Sequence, residues 1–129
     1  MVTLSTAARN AMADALVDLV DVGAGSNGTL QIGTTGFATV LVTFDFDATA
    51  FGAAASGVAT AASLPISATA AATGTAAEYR VRDADGTTVW SGTDVGTSGN
   101  EVVLSTTSIS SGQSIDLNTF TFTIAASNA

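Results

Sequence analysis

The sequence predicts a mainly β chain: an antiparallel β-sandwich, immunoglobulin-like or jelly-roll, preceded by one N-terminal amphipathic helix. Three observations carry this. Residues 77–92, AEYRVRDADGTTVWSG, alternate with period two on both sides of a turn, which is the pattern of an antiparallel hairpin. Turn-forming stretches recur roughly every 8–12 residues after position 28, the spacing of sandwich strands. Before that position, apolar residues recur at helical spacing instead. At 129 residues the chain has the size of one domain. It divides into a helical arm, residues 1–24, and a β-sandwich domain, residues 25–129.

In chain order, residues 1–4 read as a loose lead. Ser5 or Thr6 caps a helix over residues 5–21. Ala8, Met12, Leu16 and Leu19 or Val20 recur at helical spacing as its apolar face, and Asn10, Asp14, Asp18 and Asp21 mark its polar face. Residues 23–28, GAGSNG, end the helix and act as a flexible linker. Its apolar face then packs on the chain's own sandwich or on a neighbouring subunit. Thr29–Gly33 is a short strand and Thr34–Gly36 a turn. Ala38–Asp47 is the longest strand, with Val40, Val42, Phe44 and Phe46 on one face. Gly57–Ser63 and Ile66–Ala72 are weak strands around Pro65, which lacks an N–H donor and belongs at an edge or bend.

The hairpin follows. Tyr79 and Val81 alternate with Arg80 and Arg82, and the turn is Asp83-Ala84-Asp85-Gly86, with Gly86 free to take a positive φ. Glu101–Leu104, Ser114–Leu117 and Thr119–Ala125 are closing strands, the last with Phe120, Phe122 and Ile124 facing inward.

Composition excludes several chemistries. The chain carries a net charge of −8 with only three cations, Arg9, Arg80 and Arg82, which argues against nucleic acid or an anionic membrane as partner. It has no Cys, His or Lys. That removes disulfides, thiolates, imidazole ligands, Ser-His triads, Schiff bases and a phosphate-binding P-loop. The weakly polar run at 48–62 is broken by Gly and Ser and does not read as a membrane helix. Met1 is followed by no basic segment leading into an apolar run, so no signal peptide is expected. Much of the 47% hydrophobic content is Ala, which buries little area. The thin core points to an oligomer or a docked subunit.

Each candidate site has an ordinary structural reading beside it. Asp83 and Asp85 resemble a fragment of a calcium loop, but the remaining ligands are missing and Asx-turn bonding explains both residues. Asp45 and Asp47 share a strand face. Paired carboxylates serve glycoside chemistry only with a second group across a cleft, and a solvated strand face explains them better. Arg80 and Arg82 share one face and can clamp an acidic group of a partner or pair with nearby acids such as Glu78 or Glu101. Trp90 reads as core rather than as a ligand platform. No catalytic residue, cofactor or metal site is expected, and the candidate partner interface is Ala8, Met12, Leu16, Leu19, Arg80 and Arg82.

The segments LSTAARNAMADALVDLVD, GAGSNGTLQI, DATAFGAAASGVATAASLP, ATGTAAEYRVRDADGTTVWSGTDVGTSG and SIDLNTFTFTIA resemble a group of small bacteriophage and prophage virion proteins. The likeness covers nearly the whole chain. Its most specific parts are the opening helix and the hairpin with the following GTSG. The resemblance implies a virion structural role, assembled in the host cytoplasm, with the major capsid protein or other virion subunits as partners. A capsid decoration or cement protein suits a small acidic β-domain. A tail, neck or fibre component is the alternative. A carbohydrate-binding module on the virion surface is a third reading, and it requires Trp90 and Tyr79 as an exposed aromatic platform.

Overall fold

The computed structural model describes residues 2–23 and 27–126. Helix α1 spans Thr6–Asp18, and a short 3-10 turn, Leu19–Asp21, continues it. Ser5 is its N-cap, with Oγ accepting the Ala8 N–H at 3.1 Å. This satisfies one of the backbone donors a helix start leaves open. The strands follow as β1 (Thr29–Gly33), β2 (Val40–Asp45), β3 (Val58–Thr60), β4 (Ile66–Thr69), β5 (Gly74–Thr75) and β6 (Glu78–Arg82). Then come β7 (Thr88–Gly92), β8 (Val95–Gly96), β9 (Val102–Leu104), β10 (Ser108–Ile109) and β11 (Ser114–Thr123).

The chain is mainly β, antiparallel, with one N-terminal helix, as its periodicity predicts. One sheet has the order β2-β1-β6-β7, all antiparallel. The other is built on β11. The first half of β11 pairs with β4 and its second half with β3; β9 lies along its opposite side, and β8 adds parallel to β9. Pro65 sits in the bend between β3 and β4, where its missing donor costs no ladder bond. β5 and β10 form a small separate ladder. Alternation places Leu30, Ile32, Phe44, Tyr79 and Val81 from the first sheet in one core with Val102, Leu104, Ile115, Leu117 and Phe120 from the second.

Several elements differ from the sequence reading. The two closing strands are one strand, β11, whose register shifts between Leu117 and Thr119. A bulge of this kind lets a long strand bend without ending. Leu41 is buried along with Val42, because the segment after β4 covers that side of β2. The Ala71 N–H donates to the Leu41 carbonyl at 2.7 Å, and a Cβ on Gly74 would lie 3.0 Å from Leu41 Cδ2. The start of the chain is not a loose lead at Leu4, whose N–H donates to the Ala126 carbonyl at 2.7 Å. Of the linker expected at 23–28, residues 24–26 lie outside the described residues.

The helix is not a free arm. Ala13, Val17 and Val20 are buried in the same core as the sheets, and α1 packs against β3. Its inward face is therefore rotated from the expected one. Ala8 and Leu16 are half-buried, and Met12 and Leu19 point to solvent.

Candidate interaction surfaces

The rotation of α1 has a polar cause. Three side chains of the expected solvent face, Asn10, Asp14 and Asp21, each accept a backbone N–H from the irregular segment 50–57. Asn10 Oδ1 takes the Gly57 N–H at 2.8 Å, Asp14 Oδ1 the Ala54 N–H at 2.7 Å, and Asp21 Oδ1 the Ala50 N–H at 2.9 Å. Residues 50–57 include two left-handed backbones, Ser56 (φ 52°) and Gly57 (φ 78°), and lie largely outside the strand ladders. Their donors need partners, and the helix supplies three of them. Arg9 adds to the seam through Nη1, which donates to the Ser56 carbonyl at 3.2 Å.

With the polar stripe and Ala13, Val17 and Val20 turned inward, Met12 and Leu19 of the expected apolar face are left outside. The exposed large hydrophobic side chains among the described residues are Val2, Met12, Leu19 and Val22, at 47–56% exposure. All four belong to the first 22 residues. The sequence identified Met12 and Leu19 as an interface and left open what covers them; the structure shows that this chain's own sheets do not.

The two arginines of the hairpin differ. Arg82 turns to its own turn: Nε and Nη2 donate to the Gly86 carbonyl at 2.9 and 2.6 Å. Arg80 stays on the outer face of the first sheet. Its Nε donates to Gln31 Oε1 at 2.7 Å, and its guanidinium carbon lies 4.5 Å from the centroid of the Phe37 ring. Glu78, one of the acids the sequence offered as a partner, instead accepts the Gly36 N–H. Glu101 accepts the Tyr79 hydroxyl at 2.9 Å. Phe37 carries no signal of this role in the sequence. Only its place in a tight turn after β1, with a φ of 53°, brings it beneath Arg80.

Asp83 behaves as a turn residue. Its Oδ1 accepts the N–H groups of Asp85 at 3.0 Å and Thr87 at 2.9 Å, while Gly86 takes a φ of 87°. This is Asx-turn bonding, and among the described residues no group of three metal-ligating side chains occurs. Asp45 ends β2, and Asp47 accepts the Ser63 hydroxyl, so the two carboxylates serve separate places.

Tyr79 and Trp90 are spent on the core. Tyr79 is 2% exposed, and its ring meets Phe120 edge-on at 5.4 Å. Trp90 packs against Phe51, Phe120 and Phe122 at 5.1–6.0 Å. Neither forms an exposed platform for sugar stacking. The Tyr79 ring also covers Gly92, its cross-strand partner, where a Cβ would lie 2.8 Å from the ring. Burial raises the Tyr79 phenol well above its ordinary range, and the Glu101 carboxylate that accepts its hydrogen bond raises it further.

Comparison with protein-family models, with curated proteins and with solved structures finds no match to this chain.

Proposed function

We propose that this protein is a structural component of a bacteriophage virion, a capsid decoration protein that binds the outer shell and stabilises it. The observation that carries the reading is the outward apolar stripe of the N-terminal segment: Met12, Leu19 and Val22 stand exposed on an element whose polar residues hold it to its own domain. A helix of a lone globular domain ordinarily turns its apolar stripe inward. Here the stripe is presented on a fixed support, which suits docking against an apolar groove of a shell subunit. Binding that favours the assembled shell over its dissociated subunits raises particle stability by mass action. The role is interfacial and involves no chemical step. The resemblance of the sequence to small virion proteins supports the same reading.

The test is a single-particle map of the purified virion with this chain traced in it. Density at capsomer junctions, with Met12 and Leu19 against a shell subunit, is the expected result. Density in the tail or neck overturns the decoration role in favour of a tail component.

A further inference from the structure

The outer face of the first sheet holds an arginine that is fixed but not used. Two groups hold Arg80. Gln31, its cross-strand neighbour on β1, accepts from Nε at 2.7 Å, and Gln31 Nε2 in turn reaches Thr43 Oγ1 on β2 at 3.4 Å. The Phe37 ring lies under the guanidinium at 4.5 Å. Phe37 is itself held. Its N–H donates to the Thr34 carbonyl at 2.8 Å, Thr39 returns its N–H to the Thr34 hydroxyl at 3.1 Å, and Glu78 takes the Gly36 N–H. The ring rests on Gly33, where a side chain would collide with it. A non-glycine residue at a φ of 53° costs energy that the rest of the loop must offset.

The result is a guanidinium of fixed plane whose Nη1 and Nη2 make no hydrogen bond to any described residue. A planar end-on fork of this kind matches a carboxylate, which accepts two parallel N–H bonds. We propose that Arg80, seated on Phe37 and oriented by Gln31, is a preformed receptor for one Asp or Glu carboxylate on an acidic segment of a protein partner. Geometry rather than net charge favours this occupant. Arg80 and Arg82 share their face with Glu78 and Asp45, and Arg82 is taken by the Gly86 carbonyl, so the one open fork selects a single carboxylate. A nucleic acid needs many phosphates neutralised at once, and one free guanidinium does not provide that. The site stands whether or not the protein belongs to a virion.

The experiment is an NMR titration of the full chain with a blocked Gly-Glu-Gly peptide, read at the Phe37 ring and at the amides of Gln31 and of Ser91, the cross-strand partner of Arg80 on β7. Saturable shifts are expected, absent with Gly-Gln-Gly. In Arg80→Lys, which keeps the charge but loses the fork, the peptide should bind about tenfold more weakly. Phe37→Leu, which keeps an apolar residue in the loop but removes the ring, should also weaken it. Equal shifts with the Gln peptide, no saturable shift, or unchanged binding in Arg80→Lys would overturn the proposal. So would inorganic phosphate binding at lower concentration than the Glu peptide.

Discussion

Two regions hold the molecule together by different physics. Around Phe120, the sheets meet through an aromatic cluster. Phe46, Phe51, Tyr79 and Trp90 each lie 5.4–6.2 Å from its ring. Along α1, the contact to residues 50–57 is a row of side-chain oxygens accepting backbone N–H groups, beside a narrow strip of Ala13, Val17 and Val20. The first region gains from apolar area and aromatic edge contacts. The second gains little area, and its bonds matter because the donors they satisfy would otherwise be left unpaired. The difference teaches that a helix can be pinned to its domain through its polar face and still present its apolar face outward.

The contrast is tested hardest at Phe120. Phe120→Ala should cost about 3–5 kcal/mol, the range for removing a buried aromatic ring, measured by urea unfolding. A loss no larger than that of a helix-seam variant would break the comparison. The alkaline limb sharpens it at the same cluster. An unfolded tyrosine ionises near pH 10, while buried Tyr79 stays protonated. Above about pH 10 the unfolded chain therefore holds fewer protons, and stability falls by about 1.4 kcal/mol per pH unit. Tyr79 is the chain's one tyrosine, and Lys and Cys are absent, so no other side chain titrates in that window. Tyr79→Phe should flatten the alkaline loss in pH-dependent unfolding; an unchanged slope would place its origin elsewhere.

At the helix seam the effects are smaller. Asp14→Ala should cost about 1–3 kcal/mol by leaving the Ala54 N–H without its acceptor. Native-state hydrogen exchange should show faster exchange at Ala54 and its neighbours, with the Tyr79 and Trp90 strands unaffected. Smallest is the double variant Met12→Ser, Leu19→Ser. It should change thermal stability by less than about 0.5 kcal/mol, as exposed substitutions do, yet abolish incorporation into particles. Normal incorporation would remove the apolar stripe from the docking surface.

Much of the first region is legible in the sequence, because period-two alternation with Phe, Tyr and Trp marks strands directly. The hairpin, its Asx turn and the inward Phe120 are all readable in that way. The helix is legible as a helix but not in its rotation. Apolar spacing favours Met12 and Leu19 as the packed face. What turns the helix is the set of backbone donors at Ala50, Ala54 and Gly57, and these have no sequence signature of their own. Arg80 and Arg82 look equivalent as a pair on one strand face. Only the closeness of the Gly86 carbonyl to one and of Phe37 to the other separates them.

The pairing of β11 has a consequence for the order of events as the chain is made. Apart from a local bridge between Ala55 and Val58, among the described residues β3 and β4 find their ladder partner in β11, which begins at Ser114, well after β4 ends at Thr69. The β1, β2, β6 and β7 sheet can close on the emerging chain once Gly92 is out. β3 and β4 must wait through the synthesis of the intervening segment with their edges unmet. Such delayed, long-range pairing is slow and exposes strand edges to other chains. In β3 and β4 those waiting edges consist of Val58–Thr60 and Ile66–Thr69, short stretches of Ala, Ser and Thr with one Val and one Ile. Brevity and low hydrophobicity make them poor templates for mispairing until the last strand arrives.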